Sequence, residues 1–219
     1  MMSTRLAAEE LPKFDIVVSE VMDLWCLGEG IIPTMRHAHK KLLADGGVML
    51  PSKLEIYVQP LEFSLWGPVE QAVDFQCDLT PLAEQFHSKF SALRIEHFPH
   101  KALAEPILAM EIDLRQLPQV TEGEANIEGV NLCIRMGGKP ALKAQVSVAR
   151  ILQKGTLHGH ALWWSADLDG TEVTNRPSSP QRSWKQLVRW LDQPRQVEKG
   201  EDVQAGQALS WFFHGFSMF

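Results

Sequence analysis

The continuous apolar run at residues 14–19 constrains the fold more than any other segment of the chain. It lies between Pro12 and Glu20. Short apolar runs bounded in this way are typical of buried strands in parallel sheets that are covered on both faces. The run therefore predicts that this part of the chain belongs to an α/β sheet.

The next residues predict a loop, a helix and a second strand. Pro33 stands near the first turn of the helix, where its missing N–H is harmless. The helix has an apolar stripe on one face, made of Met35, Ala38, Leu42 and Leu43. The glycines at 46–47 are predicted to end the helix, and the second strand to begin at Val48. Residues 13–50 thus form one βαβ-like unit, which is too small to be a domain.

We expect residues 1–50 to be the C-terminal remnant of a larger α/β sheet, or a segment that docks onto another chain. From residue 51 the pattern changes, because alternating apolar residues after Leu54 predict a half-buried strand. Further strand candidates begin at Ile107, Ala144, His160 and Trp184. Several strands after one strand–helix unit predict a mostly β barrel or sandwich over residues 51–219.

The segment at residues 62–100 differs from the strands around it. Prolines interrupt short helical pieces, and aromatic residues are dispersed among them. We expect either an excursion packed on the barrel or a helical arm that reaches another subunit.

Composition excludes several classes of function. The 219 residues carry a net charge of −6, which argues against a direct nucleic-acid partner. Cys26, Cys77 and Cys133 are scattered, so the sequence predicts neither a disulfide framework nor a metal site and suits the cytoplasm or the nucleus. No apolar run approaches the roughly 18 residues of a membrane span, and no membrane partner is predicted.

Two carboxylates frame the loop between the first strand and the helix. Glu20 follows the strand directly, and Glu29 stands nine residues later between Gly28 and Gly30. Two acids that a short loop returns to one place can bind one cation, and the flat guanidinium fork is the cation that best suits two carboxylates. Asp23 lies three residues after Glu20 and belongs either to this pocket or to the surface.

Three segments together resemble the second half of the protein arginine methyltransferases. Ser19-Glu20 and Gly28-Glu29-Gly30 match that family's double-glutamate loop, including the nine-residue step. Residues 155–164, Gly-Thr-Leu-His-Gly-His-Ala-Leu-Trp-Trp, resemble a barrel strand that reads Leu-His-Gly followed by aromatics. Residues 177–186, Pro-Ser-Ser-Pro-Gln-Arg-Ser-Trp-Lys-Gln, resemble the family's Ser-Pro segment and Thr-His-Trp-Lys-Gln loop.

The resemblance implies a reaction and a set of site residues. In the family, a methyl group passes in line from S-adenosylmethionine to an arginine ω-nitrogen, so positioning supplies much of the acceleration. The resemblance makes Glu20 and Glu29 the catalytic pair. It places Asp23, Trp184 and Ser183 on the substrate side, with Trp184 as an aromatic wall. The implied substrates are arginine-containing proteins, and the implied assembly is a homodimer or a pairing with another methyltransferase.

The sequence departs from the family pattern in three respects. The glycine-rich cofactor loop and the acid for the ribose are absent from residues 1–12 and would lie upstream of Phe14. The cofactor-binding residues are therefore unknown, and we expect weak S-adenosylmethionine binding. Ser183 stands where the family has a histidine, and the last barrel strands are short or altered before Phe219. The Gly-Glu-Gly loop is similar to the divergent branches that make monomethylarginine or symmetric dimethylarginine.

Two other functions stay open at this point. A barrel and arm without cofactor motifs could act as a non-catalytic regulatory partner of a complete methyltransferase. More remotely, the chain could be an unrelated β-sandwich binding module with an accidental acid loop. For any of these functions, an incomplete parallel sheet predicts an exposed apolar flank and a tendency to self-associate.

Overall fold

The computed structural model describes residues 11–64, 90–119, 133–136, 139–144, 148–180 and 183–204. Within these ranges the chain forms a small α/β segment followed by a large antiparallel sheet. The predicted order of an α/β remnant and then a mostly β domain is confirmed.

The α/β segment contains two parallel strands and one helix. Strand β1 covers Phe14–Val18, helix α1 covers Ile31–Lys41 and strand β2 covers Leu43–Leu50. β1 and β2 pair in parallel as a two-stranded sheet. α1 buries Ile31, Met35 and Ala38 against the sheet and the barrel, as its apolar stripe predicts.

The predicted end of the helix is wrong by several residues. α1 ends at Lys41, and the glycines at 46–47 lie inside β2. Leu43 already pairs with Phe14, and the register then shifts before Ile16 pairs with Val48. Gly46 has a φ of +77° in this irregular stretch, a backbone conformation that glycine adopts without steric cost. The glycine pair therefore permits a bulge rather than terminating the helix.

One face of the β1–β2 sheet is apolar and exposed. Ile16 and Val18 keep 61% and 66% of their accessible surface, and Phe14 and Val48 on the same face are also exposed. Val17, on the opposite face, packs against the main core. The expectation that β1 is covered on both faces is thus wrong for the described residues. The predicted exposed apolar flank is confirmed.

The remaining strands of the described ranges all pair antiparallel. They are β3 (Lys53–Phe63), β4 (Phe90–Leu93), β5 (His100–Ala102), β6 (Ile107–Asp113), β7 (Cys133–Met136), β8 (Lys139–Ala144), β9 (Val148–Arg150), β10 (Gly155–Leu168), β11 (Thr171–Thr174), β12 (Gln186–Val197) and β13 (Asp202–Gln204). Short 3₁₀ helices cover Ile95–His97 and Leu114–Gln119.

The main sheet has the order β4-β12-β10-β3-β6-β8-β7, with β11 added to β10 and β5 to β3. β9 and β13 form a separate pair. The strand candidates at Leu54, Ile107 and His160 are confirmed as β3, β6 and β10. The candidate at Trp184 begins two residues later, as β12. In the candidate from Ala144, Ala144 ends β8 and Val148–Arg150 forms β9, while residues 145–147 lie outside the described residues.

β10 is the centre of the barrel domain, because it is buried on both faces. Leu162, Trp164 and Ala166 face the core shared with α1 and β1. Ala161 and Trp163 face a second core with residues of β3 and β12. One face of β10 thus shares a core with Met22, Cys26 and Leu27, and the other face packs in the second core.

The predicted arm at 62–100 lies mainly outside the described residues. At its ends, the last residues of β3 pair with β5, and β4 pairs with β12. Both ends of this segment are therefore part of the main sheet, and the arm itself stays a prediction. In the described part of the chain, no helix is long and apolar enough to cross a membrane.

Candidate functional site

The two predicted catalytic acids stand at opposite ends of the loop between β1 and α1. Glu20 comes two residues after Val18, the last residue of β1, and Ser19 N donates to Leu50 O at 2.9 Å. Glu29 comes one residue before Gly30, the N-cap of α1. Both glutamates are exposed. The backbone N–H groups at the start of α1 favour a negative charge there, so Glu29 is well placed as a carboxylate.

Asp23 organises the backbone of this acid loop, which we define as residues 19–30. Its Oδ1 accepts hydrogen bonds from Trp25 N at 2.9 Å and from Gly28 N at 3.2 Å. Its main-chain oxygen accepts from Cys26 N at 2.9 Å. Aspartate side chains commonly stabilise turns in this way. The carboxylate predicted for the substrate pocket thus has partners within the loop, and its role toward a substrate stays a prediction.

Gly28 is the residue that this arrangement requires. A Cβ atom built on Gly28 would overlap the Asp23 carboxylate. Glycine is therefore needed here for the close approach of the loop backbone to a side chain. The glycines that mark the loop in the sequence have different roles, since Gly30 is instead the helix N-cap with a φ of +84°.

The inner side of the acid loop is anchored in the main core. Met22, Cys26 and Leu27 are buried, and Cys26 lies fully inside the protein with a φ of +70°. Burial, together with the nearby Asp23 carboxylate, raises the pKa of the Cys26 thiol. Its thiol is therefore protonated and apolar in character. The ring of Trp25 packs on Phe90 of β4 at a centroid distance of 4.9 Å.

Two tryptophans of the barrel hold the acid loop by its backbone. Trp164 Nε1 donates to Asp23 O at 3.0 Å, and Trp184 Nε1 donates to Met22 O at 3.1 Å. The two indole rings meet edge to face, with centroids 5.0 Å apart and an interplanar angle of 69°. Trp164 is 1% exposed, whereas Trp184 is half-buried.

Asn175 links the parts of the barrel that carry these two tryptophans. Its Oδ1 accepts from Trp164 N at 2.7 Å, and its Nδ2 donates to Lys185 O at 2.8 Å. Nδ2 also lies 3.5 Å from Leu24 O in the acid loop. Asn175 is 1% exposed, so these bonds form away from water.

The predicted site residues lie in two segments, the acid loop and the segment before β12. Glu20, Asp23 and Glu29 share the acid loop, and Trp184 contacts its backbone. Ser183 is exposed and adjoins Trp184 in the chain. Sequence reasoning did not identify Trp164 and Asn175 as part of this region. The Leu-His-Gly strand with its two tryptophans was the available signal for Trp164, while no motif marks Asn175.

Comparison with known proteins gives this geometry a family context. An arginine N(omega)-methyltransferase from Streptomyces achromogenes subsp. streptozoticus is 29% identical over 195 residues, which cover 86% of this chain and 47% of that protein. Protein arginine N-methyltransferase 6 from Xenopus laevis is 25% identical over 224 positions, covering 96% of this chain and 60% of that protein. Over most of its length the chain is similar to protein arginine N-methyltransferases. No protein-family profile matches the chain.

A solved arginine methyltransferase structure has the same fold. The Trypanosoma brucei PRMT1 enzyme–prozyme heterotetrameric complex with AdoHcy superposes with a TM-score of 0.63 at 16% identity, over 90% of this chain and 58% of that chain. The curated relatives described above are covered over 47% and 60% of their own length. The chain thus spans about half of an arginine methyltransferase and corresponds to the C-terminal half.

A cavity of about 270 Å³ lies beside β2, away from the acid loop. Its lining includes His39, Ser52, Arg115 and Asp167, together with residues of β2. Glu20 and Glu29 do not line it. Within the described ranges, no three histidine, cysteine or acidic side chains are grouped so as to hold a metal ion. The cavity and the acid loop are thus separate features of the described residues.

Proposed function

We propose that this chain is the substrate-binding half of a protein arginine N-methyltransferase, in which Glu20 and Glu29 bind the guanidinium of a protein arginine. The observation that carries the proposal is the acid loop itself. Two exposed glutamates stand at its two ends, and the barrel holds the backbone between them. The similarity to arginine methyltransferases over most of the chain supports this interpretation.

The chemistry of the acid pair follows from the properties of guanidinium. Its nitrogen lone pairs are delocalised, so it is a weak nucleophile unless one nitrogen is oriented and the charge is held on the others. Glu20 and Glu29 can each accept charge-assisted hydrogen bonds from different N–H groups of the fork. Such bonds orient one ω-nitrogen and stabilise the cation in a fixed position. Trp184, half-buried beside the loop, offers an aromatic surface to the aliphatic part of the arginine side chain.

The described residues do not form a complete site for S-adenosylmethionine. A site of this kind uses a crevice at the carboxyl ends of several parallel strands and a glycine-rich turn after the first of them. The parallel sheet described here has two strands, and the loop after β1 carries the acids instead of a glycine-rich turn. We therefore assign the methyl donor to an α/β half that the described residues do not include.

The exposed face of β1–β2 is the surface to which we assign that α/β half. Parallel sheets are normally covered on both faces, yet Phe14, Ile16, Val18 and Val48 are exposed here. The partner is therefore expected to bring apolar helices against this face. The T. brucei neighbour is described as an enzyme–prozyme heterotetrameric complex, and pairing of this chain with a second methyltransferase chain is part of the proposal.

The decisive experiment separates arginine binding from methyl transfer. A Gly-Arg-Gly-repeat peptide and its lysine counterpart are titrated into the 219-residue chain and into the E20Q and E29Q variants. We expect the chain to prefer arginine, and each variant to lose at least about tenfold in affinity, because one charge-assisted bond is worth roughly 1.5–3 kcal/mol. E105Q, which changes an exposed carboxylate elsewhere, is the matched control and keeps the preference.

Methyl transfer is then measured with labelled S-adenosylmethionine after co-expression with the half of the Streptomyces relative that this chain does not cover. Transfer that E20Q abolishes supports the enzyme. If the chain binds the arginine peptide but no methyl transfer occurs, either with the Streptomyces half or with intact methyltransferases, then its role is limited to binding the substrate. Equal affinity for the arginine and lysine peptides overturns the proposal.

A further inference from the structure

We propose that Trp164 and Asn175 are positioning residues that, together with Trp184, set the conformation of the acid loop through its main-chain oxygens. The assignment of a catalytic purpose to this clamp rests on the proposed function. The clamp itself is a structural relationship between barrel and loop that can be tested without any activity.

The clamp reaches three consecutive residues of the loop. Trp184 donates to Met22 O at 3.1 Å, Trp164 donates to Asp23 O at 3.0 Å, and Asn175 Nδ2 lies 3.5 Å from Leu24 O. All three donors come from the part of the barrel around the carboxyl half of β10 and the segment before β12. The loop is therefore held to a rigid sheet in the middle, while its two glutamates remain exposed at the ends.

Asn175 makes the clamp one unit rather than three separate contacts. Its side chain accepts from Trp164 N and donates to Lys185 O, the residue after Trp184. Its own main-chain oxygen accepts from Gln186 Nε2 at 2.7 Å. Loss of this side chain would thus loosen the positions of both indole donors, in addition to its weak direct contact with the loop.

The clamp also protects the turn that Asp23 builds. Asp23 O accepts from Trp164 Nε1 and from Cys26 N, while Asp23 Oδ1 accepts from Trp25 N and Gly28 N. The same residue is thus fixed from the barrel side by its main chain and organises the loop by its side chain. A carboxylate pair needs a fixed spacing to match the guanidinium fork, and this linked set of bonds supplies a means to fix it.

The test compares W164F, W184F and N175A with W190F in the 219-residue chain. Trp190 Nε1 donates to Ser91 Oγ at 2.8 Å within the barrel, so W190F removes an indole hydrogen bond of the same kind without touching the loop. S165A is the control for N175A, because Ser165 Oγ bonds to Glu172 and Thr174 in the neighbouring hairpin. Hydrogen exchange is read at the amides of Trp25, Cys26 and Gly28, and cleavage by a glutamate-specific protease is read at Glu20 and Glu29.

We expect faster exchange of the loop amides in W164F, W184F and N175A, by about fivefold or more for each hydrogen bond lost. Cleavage at Glu20 and Glu29 rises in parallel, while exchange in β3, and in β10 apart from the Trp164 amide that donates to Asn175, does not change. W190F and S165A leave the loop at the wild-type rate. If loop exchange is unchanged in the clamp variants, or rises no more than in the controls, the proposal is overturned. If W164F or N175A fails to fold, loop exchange in W184F tests the proposal alone. Trp184 is half-buried, so its substitution disturbs the core less.

The reconstituted enzyme gives a second readout that a purely structural role would not move. We expect the clamp variants to raise the KM for the arginine peptide while the KM for S-adenosylmethionine stays constant, because only the acid loop is displaced. An equal rise in both constants argues for general damage and overturns the positioning role. A loop that loosens while no methyl transfer is seen in any variant or in the wild type supports the clamp and counts against the proposed function alone.

Discussion

Trp164 and Trp184 meet edge to face at 5.0 Å, and their indole N–H groups donate to the adjacent carbonyls of Asp23 and Met22. One aromatic pair thus connects the interior of the barrel to the backbone of the acid loop. Edge-to-face pairs are favoured geometries, so each indole helps to orient the donor of the other.

The first prediction concerns the close approach at Gly28. In G28A, the new methyl group overlaps the Asp23 carboxylate, so the turn must open. We expect a loss of about 1–3 kcal/mol in the free energy of unfolding, the usual cost of overpacking, and a weaker affinity for the arginine peptide. Urea unfolding and peptide titration measure the two effects.

G46A is the control for this experiment. Gly46 also has an unusual backbone conformation, with a φ of +77°, but nothing lies within 4 Å of its added Cβ. We expect a backbone cost of about 1–2 kcal/mol and an unchanged affinity for the peptide. Equal peptide affinities in G28A and G46A would show that the Asp23 turn does not matter for binding.

The second prediction concerns the exposed face of β1. We expect the 219-residue chain to self-associate through Phe14, Ile16 and Val18, and the double variant I16K/V18K to be monomeric. The same variant should bind the complementary α/β half at least about tenfold more weakly, because burying a charge against apolar helices is unfavourable. Light scattering after size-exclusion chromatography and a pull-down titration measure these properties.

V148K is the matched control for the open face. Val148 is 51% exposed but belongs to β9, away from β1. The V148K variant should self-associate, and bind the complementary α/β half, to the same extent as the wild type. If I16K/V18K still self-associates, the surface that mediates self-association lies in another part of the chain.

The third prediction concerns His160, which is buried on β10 opposite Arg189 and Pro60. Within the described residues, neither ring nitrogen has a hydrogen-bond partner. Burial, and then the charges of Arg189 and Arg195, lower the pKa of His160 to about 4. The unfolded chain therefore binds a proton between pH 6.5 and 4 that the folded chain does not bind.

This difference in protonation makes stability fall as the pH drops through that window. Each pKa unit corresponds to about 1.4 kcal/mol. The low pKa of His160 is therefore expected to lower the free energy of unfolding by up to about 3 kcal/mol as the pH falls from 6.5 to 4. Urea unfolding of H160L should lack this part of the pH dependence. V188A, a change at another buried position, should lower stability equally at each pH. Parallel pH profiles for the wild type and H160L would contradict the prediction.

The fourth prediction uses Tyr57, the one tyrosine in the sequence. Burial, and next the hydrogen bond from its hydroxyl to Glu55 Oε2 at 2.7 Å, raise its pKa to about 12. Absorbance near 295 nm therefore reports this residue, and we expect native tyrosinate to form near pH 12 rather than at the free value of about 10.

E55Q separates the two causes. It removes the carboxylate but not the burial, so the pKa of Tyr57 should fall and yet stay above that of free tyrosine. E111Q is the control, because Glu111 bonds to Lys53 at 2.9 Å in the same cluster. A wild-type titration midpoint near pH 10 would show that Tyr57 is open to solvent.

The sequence predicts those parts of the site that depend on side-chain patterns. The apolar run before Glu20, the apolar stripe of α1 and the glycines around Glu29 were sufficient to predict the strand, the helix and the loop between them. The clamp could not be predicted in the same way. Its acceptors are main-chain oxygens, which every residue has, so nothing at positions 22–24 indicates that Trp164 and Asn175 bind there. A Gly-Gly pair is likewise compatible with a bulge inside a strand and with the end of a helix, so the sequence did not distinguish the two at residues 46–47.

The donors of the clamp lie far along the chain from the loop that they hold. Trp164 and Trp184 come 141 and 162 residues after their respective acceptors. During synthesis, the acid loop leaves the ribosome long before either tryptophan exists. The hydrogen bonds that hold the loop backbone therefore form only after the segment preceding β12 has been made and folded. A nascent or truncated chain that ends before Trp184 would carry both acids without the means to hold them in place.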